Sequence, residues 1–124
     1  MLKYLAVGVG GFVGAIARYM IGAYVGGRYG MRFPYGTFVI NMTGCFLIGL
    51  VMALLARTTD SAYWRYLLPI GFIGAYTTFS TFEYETLRAI QDGQLLTGLL
   101  NIGLSVIVGF VAVWAGDALG RVFV

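Results

Sequence analysis

The chain has 124 residues, of which 60% are hydrophobic and 10% charged, with 19 glycines, one cysteine, no histidine and a formal net charge of +3. Soluble globular domains run at roughly 45–50% apolar and about 25% charged residues, so this composition excludes that class. A lone Cys45 rules out a disulfide framework, and the absence of histidine removes the commonest metal ligand and general base, which leaves zinc and hydrolytic chemistry as poor expectations.

Charges delimit the apolar segments. No charged residue occurs in 33–56 or in 93–116, two runs of 24 residues each, and about 20 apolar residues span a bilayer core. The first span, near 4–25, is interrupted only by Arg18, and the second lies near 36–56. The third, near 64–90, holds a charge-free stretch of 17 residues from Tyr66 to Phe82, and the fourth lies near 95–119. The first is too long, and too rich in Gly and Tyr, for a cleaved signal peptide. The expectation is an all-α integral membrane protein with one domain over 1–124. Four spans are joined by short loops at 25–35, 57–63 and 91–94, with turn chemistry at Gly26-Gly27, Phe33-Pro34 and Asp92-Gly93. So short a chain encloses little by itself, so self-association is expected.

With four spans, Lys3, Arg57, Arg65 and Arg121 fall on one side, while Arg28, Arg32 and Arg88 fall on the other, joined by Arg18 if it belongs to that half. Lys and Arg ordinarily concentrate on the cytoplasmic side. The near-balance leaves two readings open: insertion in both orientations, which permits an antiparallel homodimer about a two-fold axis in the membrane plane, or simply no need for basic residues.

Gly10, Gly14, Gly22 and Gly26 repeat every four residues with Arg18 at the missing step, and Gly116 and Gly120 form another such pair. Small residues at this spacing let membrane helices approach closely. A guanidinium on a membrane helix either snorkels toward the loop or faces a partner or cavity, and Arg18 fits both descriptions.

In the second span Thr37 and Asn41 lie one turn apart, with Thr43 on another face, and in the fourth Thr97, Asn101 and Ser105 form a stripe. An unpaired amide in hydrocarbon costs about 4–8 kcal/mol, so these groups serve interhelical hydrogen bonds or a polar path. The third span is the densest in polar groups. Thr77, Thr78, Ser80 and Thr81 follow Gly71 and Gly74, and hydroxyls so placed compete for backbone partners. This predicts an interruption near 74–78 whose freed carbonyls are natural cation ligands. The alternative is a continuous helix with its hydroxyls bonded back to preceding carbonyls. Beyond it Phe79 and Phe82 share a face, with Thr81 and Glu85 on the adjacent one. Aromatics at this spacing usually fill a core, yet an electropositive ring edge joined by amide and hydroxyl donors holds an anion without trapping it. Glu83 and Glu85, near the end of the span, suit an interfacial or a functional position.

These residues occur in a recognisable order. Gly10-Gly11, Gly14-Ala15 and Arg18-Tyr19, then Pro34 with Gly36-Thr37 and Val39-Ile40-Asn41, then Gly44 with Phe46-Leu47-Ile48-Gly49, then Thr77-Thr78-Phe79-Ser80-Thr81-Phe82, resemble the CrcB/Fluc family of fluoride channels. The last run is the specific part, and the fourth span agrees in length and polar stripe. The resemblance implies a non-enzymatic, passive fluoride exporter of the bacterial cytoplasmic membrane. It implies a dual-topology homodimer with two antiparallel pores and a central structural sodium ion, held by carbonyls of the broken third helix at Gly74 and Thr77. Asn41, Phe79 and Phe82 would line the pore, and Ser80, Thr81 and Ser105 would form a polar track with Thr37. Glu85 would lie toward one end, and Arg18 would draw anions into a vestibule. One departure is Ala75, where family members often have a second glycine. Small multidrug exporters are also four-span, dual-topology dimers, but they depend on a carboxylate in the first helix, and the first span here has none. An assembly subunit without a pathway is the third reading, and it leaves Asn41 and the third-span cluster without a purpose.

Overall fold

The computed structural model describes residues 1–30, 32–56 and 61–123; Met31, Val124, Arg57 and most of the expected 57–63 loop lie outside the described residues. Every regular element among the described residues is helical. Helix α1 spans Leu2–Tyr29 and α2 spans Tyr35–Leu55. The third apolar run is built from consecutive pieces: α3 (Ser61–Arg65), a π-helical stretch (Tyr66–Ile73), α4 (Gly74–Tyr76) and α5 (Phe79–Gln91). Helix α6, Leu95–Val122, closes the chain.

Helices α1, α2 and α6 are each long and apolar enough to cross a membrane. At a rise of about 1.5 Å per residue, α1 and α6 extend roughly 42 Å, beyond the ~30 Å hydrocarbon layer. Three of the four expected spans are thus uninterrupted helices, and the third is a succession of short ones.

Pro69 accounts for the widened turn. A proline ring inside a helix lacks the N–H for its own bond and clashes with the carbonyl four residues earlier, here Arg65. An extra residue in the turn relieves both problems. The Gly74 N–H accordingly reaches back to the Pro69 carbonyl as well as to Gly71. Two residues later, at Tyr76, the helix stops. Thr77 (φ −77°, ψ 156°) and Thr78 (φ −148°, ψ 112°) are extended, and α5 begins at Phe79. Ala75 lies within α4 and has no positive φ, so this backbone carries an alanine without strain.

The helices meet through glycine. Helix α2 lies along α6, where a Cβ on Gly49 would strike the Val113 carbonyl and a Cβ on Gly116 would strike the Phe46 carbonyl. The same intimacy joins α1 to the π-helical stretch: Gly10 abuts the Leu67 carbonyl and Gly14 the Phe72 carbonyl. Gly22 faces Gly36 of α2, whereas Gly26 has open space beside it. Helix α5 packs on α6 at Gly98, which sits against Ile90. Buried side chains are few and follow these seams, while Phe12, Tyr19, Phe110 and Trp114 point outward.

Candidate functional site

The extended pair Thr77–Thr78 organises the site. Asn41 of α2 grips Thr78 at both backbone groups: its Nδ2 donates to the Thr78 carbonyl at 3.0 Å, and its Oδ1 accepts from the Thr78 N–H at 2.9 Å. The cost of leaving an amide unpaired in an apolar interior is met by a backbone with no helical partners. Thr78 then caps α5, its hydroxyl accepting from the Thr81 N–H at 3.4 Å and donating to Thr81 Oγ1 at 2.9 Å. Thr77 bonds back, Oγ1 to the Ile73 carbonyl at 3.0 Å.

These bonds redirect two donors. In a continuing helix the Thr78 N–H would serve the Gly74 carbonyl and the Thr81 N–H the Thr77 carbonyl. One goes to Asn41 and the other to the Thr78 hydroxyl. The Gly74 and Thr77 carbonyls are therefore turned loose from their usual helical partners, and neutral oxygens of this kind suit a hard monovalent cation. Arg18 stands beside them, half-buried on α1, with Nη1 donating to the Thr77 carbonyl at 3.5 Å. It lines neither of the cavities described next.

A cavity of about 420 Å³ brings together Asn41, Gly74, Thr77, Phe79, Phe82 and Ser105, with Cys45 also on its wall. The Phe79 and Phe82 rings are 5.7 Å apart between centroids and tilted by 39°. Phe82 is 7% exposed and Phe79 is 73% exposed, so one ring belongs to the interior and the other faces outward. A second cavity of about 780 Å³ contains Thr37, Glu85 and Thr97 together with Arg32 and Arg88. Three helices contribute to both cavities from one stripe each: Thr37 and Asn41 on α2, Phe82 and Glu85 on α5, Thr97 and Ser105 on α6. Glu85 Oε2 is buried with no hydrogen-bond partner. Ser80 and Thr81 are exposed on the outer side of α5, away from both cavities.

Several participants carry no sequence signal of their own. Tyr76 is buried and shares a 2.7 Å hydroxyl contact with Thr43. Thr86 bonds the Phe82 carbonyl at 2.7 Å and receives Asn101 Nδ2 at 2.9 Å. Pro69, by contrast, does carry a signal, as a proline inside an apolar run, and it opens the turn ahead of the break.

Long apolar helices sealed by glycine, around a seam of amide, hydroxyl and aromatic groups, define a small multi-pass membrane protein. Residues 5–117 match the family described as CrcB-like protein, Camphor Resistance (CrcB). The chain is 57% identical over 121 residues to the fluoride-specific ion channel FluC of Acidobacterium capsulatum, covering 97% of each. It is 49% identical to the protein of that name from Solibacter usitatus, over 97% of this chain and 99% of the relative. With the one from Hydrogenovibrio crunogenus it shares 44% over 99% of this chain and 94% of the relative. The chain belongs to the CrcB family.

Proposed function

We propose that the chain is a passive fluoride channel of the bacterial cytoplasmic membrane, rather than an enzyme or a coupled exporter. The observation that carries this reading is the gathering of Asn41, Phe79, Phe82 and Ser105 on one cavity, with Thr37, Glu85 and Thr97 continuing the same helix faces into the next. Full-length relatives named fluoride-specific ion channels support it. A small, strongly hydrated anion needs substitutes for water that release it again. Ring edges, hydroxyls and the second N–H of Asn41 offer partial positive charge without a full ionic trap. The carboxylate-dependent exchange of small multidrug exporters has no counterpart on α1, which contains no acidic residue.

In this reading the working unit is an antiparallel homodimer with two pores. The outward Phe79 ring is then covered by the inverted copy. The third span crosses the membrane as α3 through α5. The Gly74 and Thr77 carbonyls would hold a sodium ion at the two-fold axis, where its charge would complement the negative carbonyl end of α4. Ser80 and Thr81 would complete the track at the dimer surface, and Arg18, held at the Thr77 carbonyl and off both cavities, would contribute positive potential only from a distance.

The test is release from proteoliposomes loaded with fluoride, chloride or a cationic dye. Passive fluoride release at rates above those of chloride is expected. Dye exchange driven by a proton gradient replaces the channel with an exporter, and silence for all three makes the chain an assembly subunit.

A further inference from the structure

Asn101 is the one fully buried side chain in the described structure, at 1% exposure, and it is polar. It lies in neither cavity. Its Nδ2 donates to Thr86 Oγ1 at 2.9 Å, and Thr86 Oγ1 in turn donates to the Phe82 carbonyl at 2.7 Å. On the other side its Oδ1 accepts from Ser105 Oγ at 3.5 Å. One amide therefore ties the turn of α5 that carries Phe82 to the turn of α6 that carries Ser105. The close approach at Gly98, one turn earlier, is what brings the two helices within reach, since a Cβ there would press on Ile90.

An apolar side chain of similar volume would seal this seam as well, because hydrogen bonds between membrane helices add little to association. What an apolar side chain lacks is a directional bond from one cavity wall to the other. We propose that Asn101 is a positioning residue: through Thr86 it fixes the Phe82 ring, and directly it orients the Ser105 hydroxyl, so that the two face one another at a set separation. This rests on the fluoride-channel reading, and its consequence is for flux rather than for assembly.

The experiment compares Thr86→Val, Thr86→Ser, Asn101→Leu and the double variant Thr86→Val/Asn101→Leu, each reconstituted after size-exclusion selection of assembled protein. Fluoride release should fall about tenfold in Thr86→Val and in Asn101→Leu, a change of roughly 1.4 kcal/mol in barrier. Thr86→Ser, which keeps the hydroxyl, should remain near the unmodified rate. The double variant should be no slower than the slower single one, because both break the same relay. In parallel, 4-fluorophenylalanine placed at position 82 reports ring environment by ¹⁹F resonance. The resonance should move in Thr86→Val and Asn101→Leu and stay in Thr86→Ser. An unmoved resonance in both, or losses that multiply in the double variant, overturns the proposal. Loss of assembly in both single variants overturns it too, because Asn101 would then serve the fold alone. If the unmodified chain releases no fluoride, the channel reading fails, while the resonance still decides whether the relay positions Phe82.

Discussion

Asn41 and Thr78, 37 positions apart, are joined by two hydrogen bonds that use one side-chain amide to complete both halves of a backbone residue. The clasp holds the extended turn open. It also keeps the Thr78 N–H from closing onto the Gly74 carbonyl, as it would in a continuous helix.

Replacing Asn41 by Leu leaves both Thr78 backbone groups unpaired, at about 1–3 kcal/mol each. The expected outcome is a lower thermal midpoint in detergent together with loss of fluoride release. Asn41→Asp, which retains the acceptor and forfeits the donor, should fall between. Thermal aggregation followed by light scattering, read beside flux, checks the order. An unshifted midpoint in Asn41→Leu would show that Thr78 finds other partners.

Phe79→Ile and Phe82→Ile keep apolar volume while removing the electropositive ring edge. Fluoride release should be abolished or sharply reduced in each, with the size-exclusion profile unchanged. Phe82 is the more buried ring and should show the larger drop in stability, about 1 kcal/mol for an imperfect repacking. Full flux in both variants would remove the rings from the path.

Adding two or three lysines to the loop at 57–63 should bias the chain to one orientation, since basic loop residues are retained on the cytoplasmic side. A uniformly oriented population should lose activity, and co-expression with an oppositely biased variant should restore it. Cysteine-accessibility labelling at each membrane face measures the orientation. Activity in a strictly one-way sample would exclude the antiparallel dimer.

Prolonged dialysis against choline salts should weaken the dimer or its flux, and sodium should restore it where potassium does so poorly. The reason is that carbonyl oxygens without a carboxylate select by size and geometry more than by charge. Size-exclusion elution before and after dialysis is the measurement, and unchanged elution and flux after exhaustive removal would defeat the cation site.

The broad plan was readable because its causes are local: charge-free runs mark the long helices, and Asn41 stands out as an amide that must find partners. Other features depend on what lies across the bundle. Arg18 turns to the Thr77 carbonyl, 59 residues away, and no helical pattern on α1 encodes that direction. Asn101 belongs to a legible polar stripe, yet its partner Thr86 is identified only once α5 and α6 are packed. Gly26 continues the spacing of Gly10 and Gly14 but has open space beside it rather than a neighbouring backbone. Pro69 widens Tyr66–Ile73 through the crowding of one turn, which hydropathy does not measure.

Cys45 is the chain's only sulfhydryl, and it stands on the wall of the cavity that holds the two phenylalanine rings. The unaltered protein thus contains its own chemical reporter. Cys45 is half-buried, so the rates at which thiol-directed reagents graded by diameter and by charge modify it would gauge how open that wall is without an engineered residue. Protection from modification as fluoride is raised would register occupancy in the same protein whose conductance is being followed.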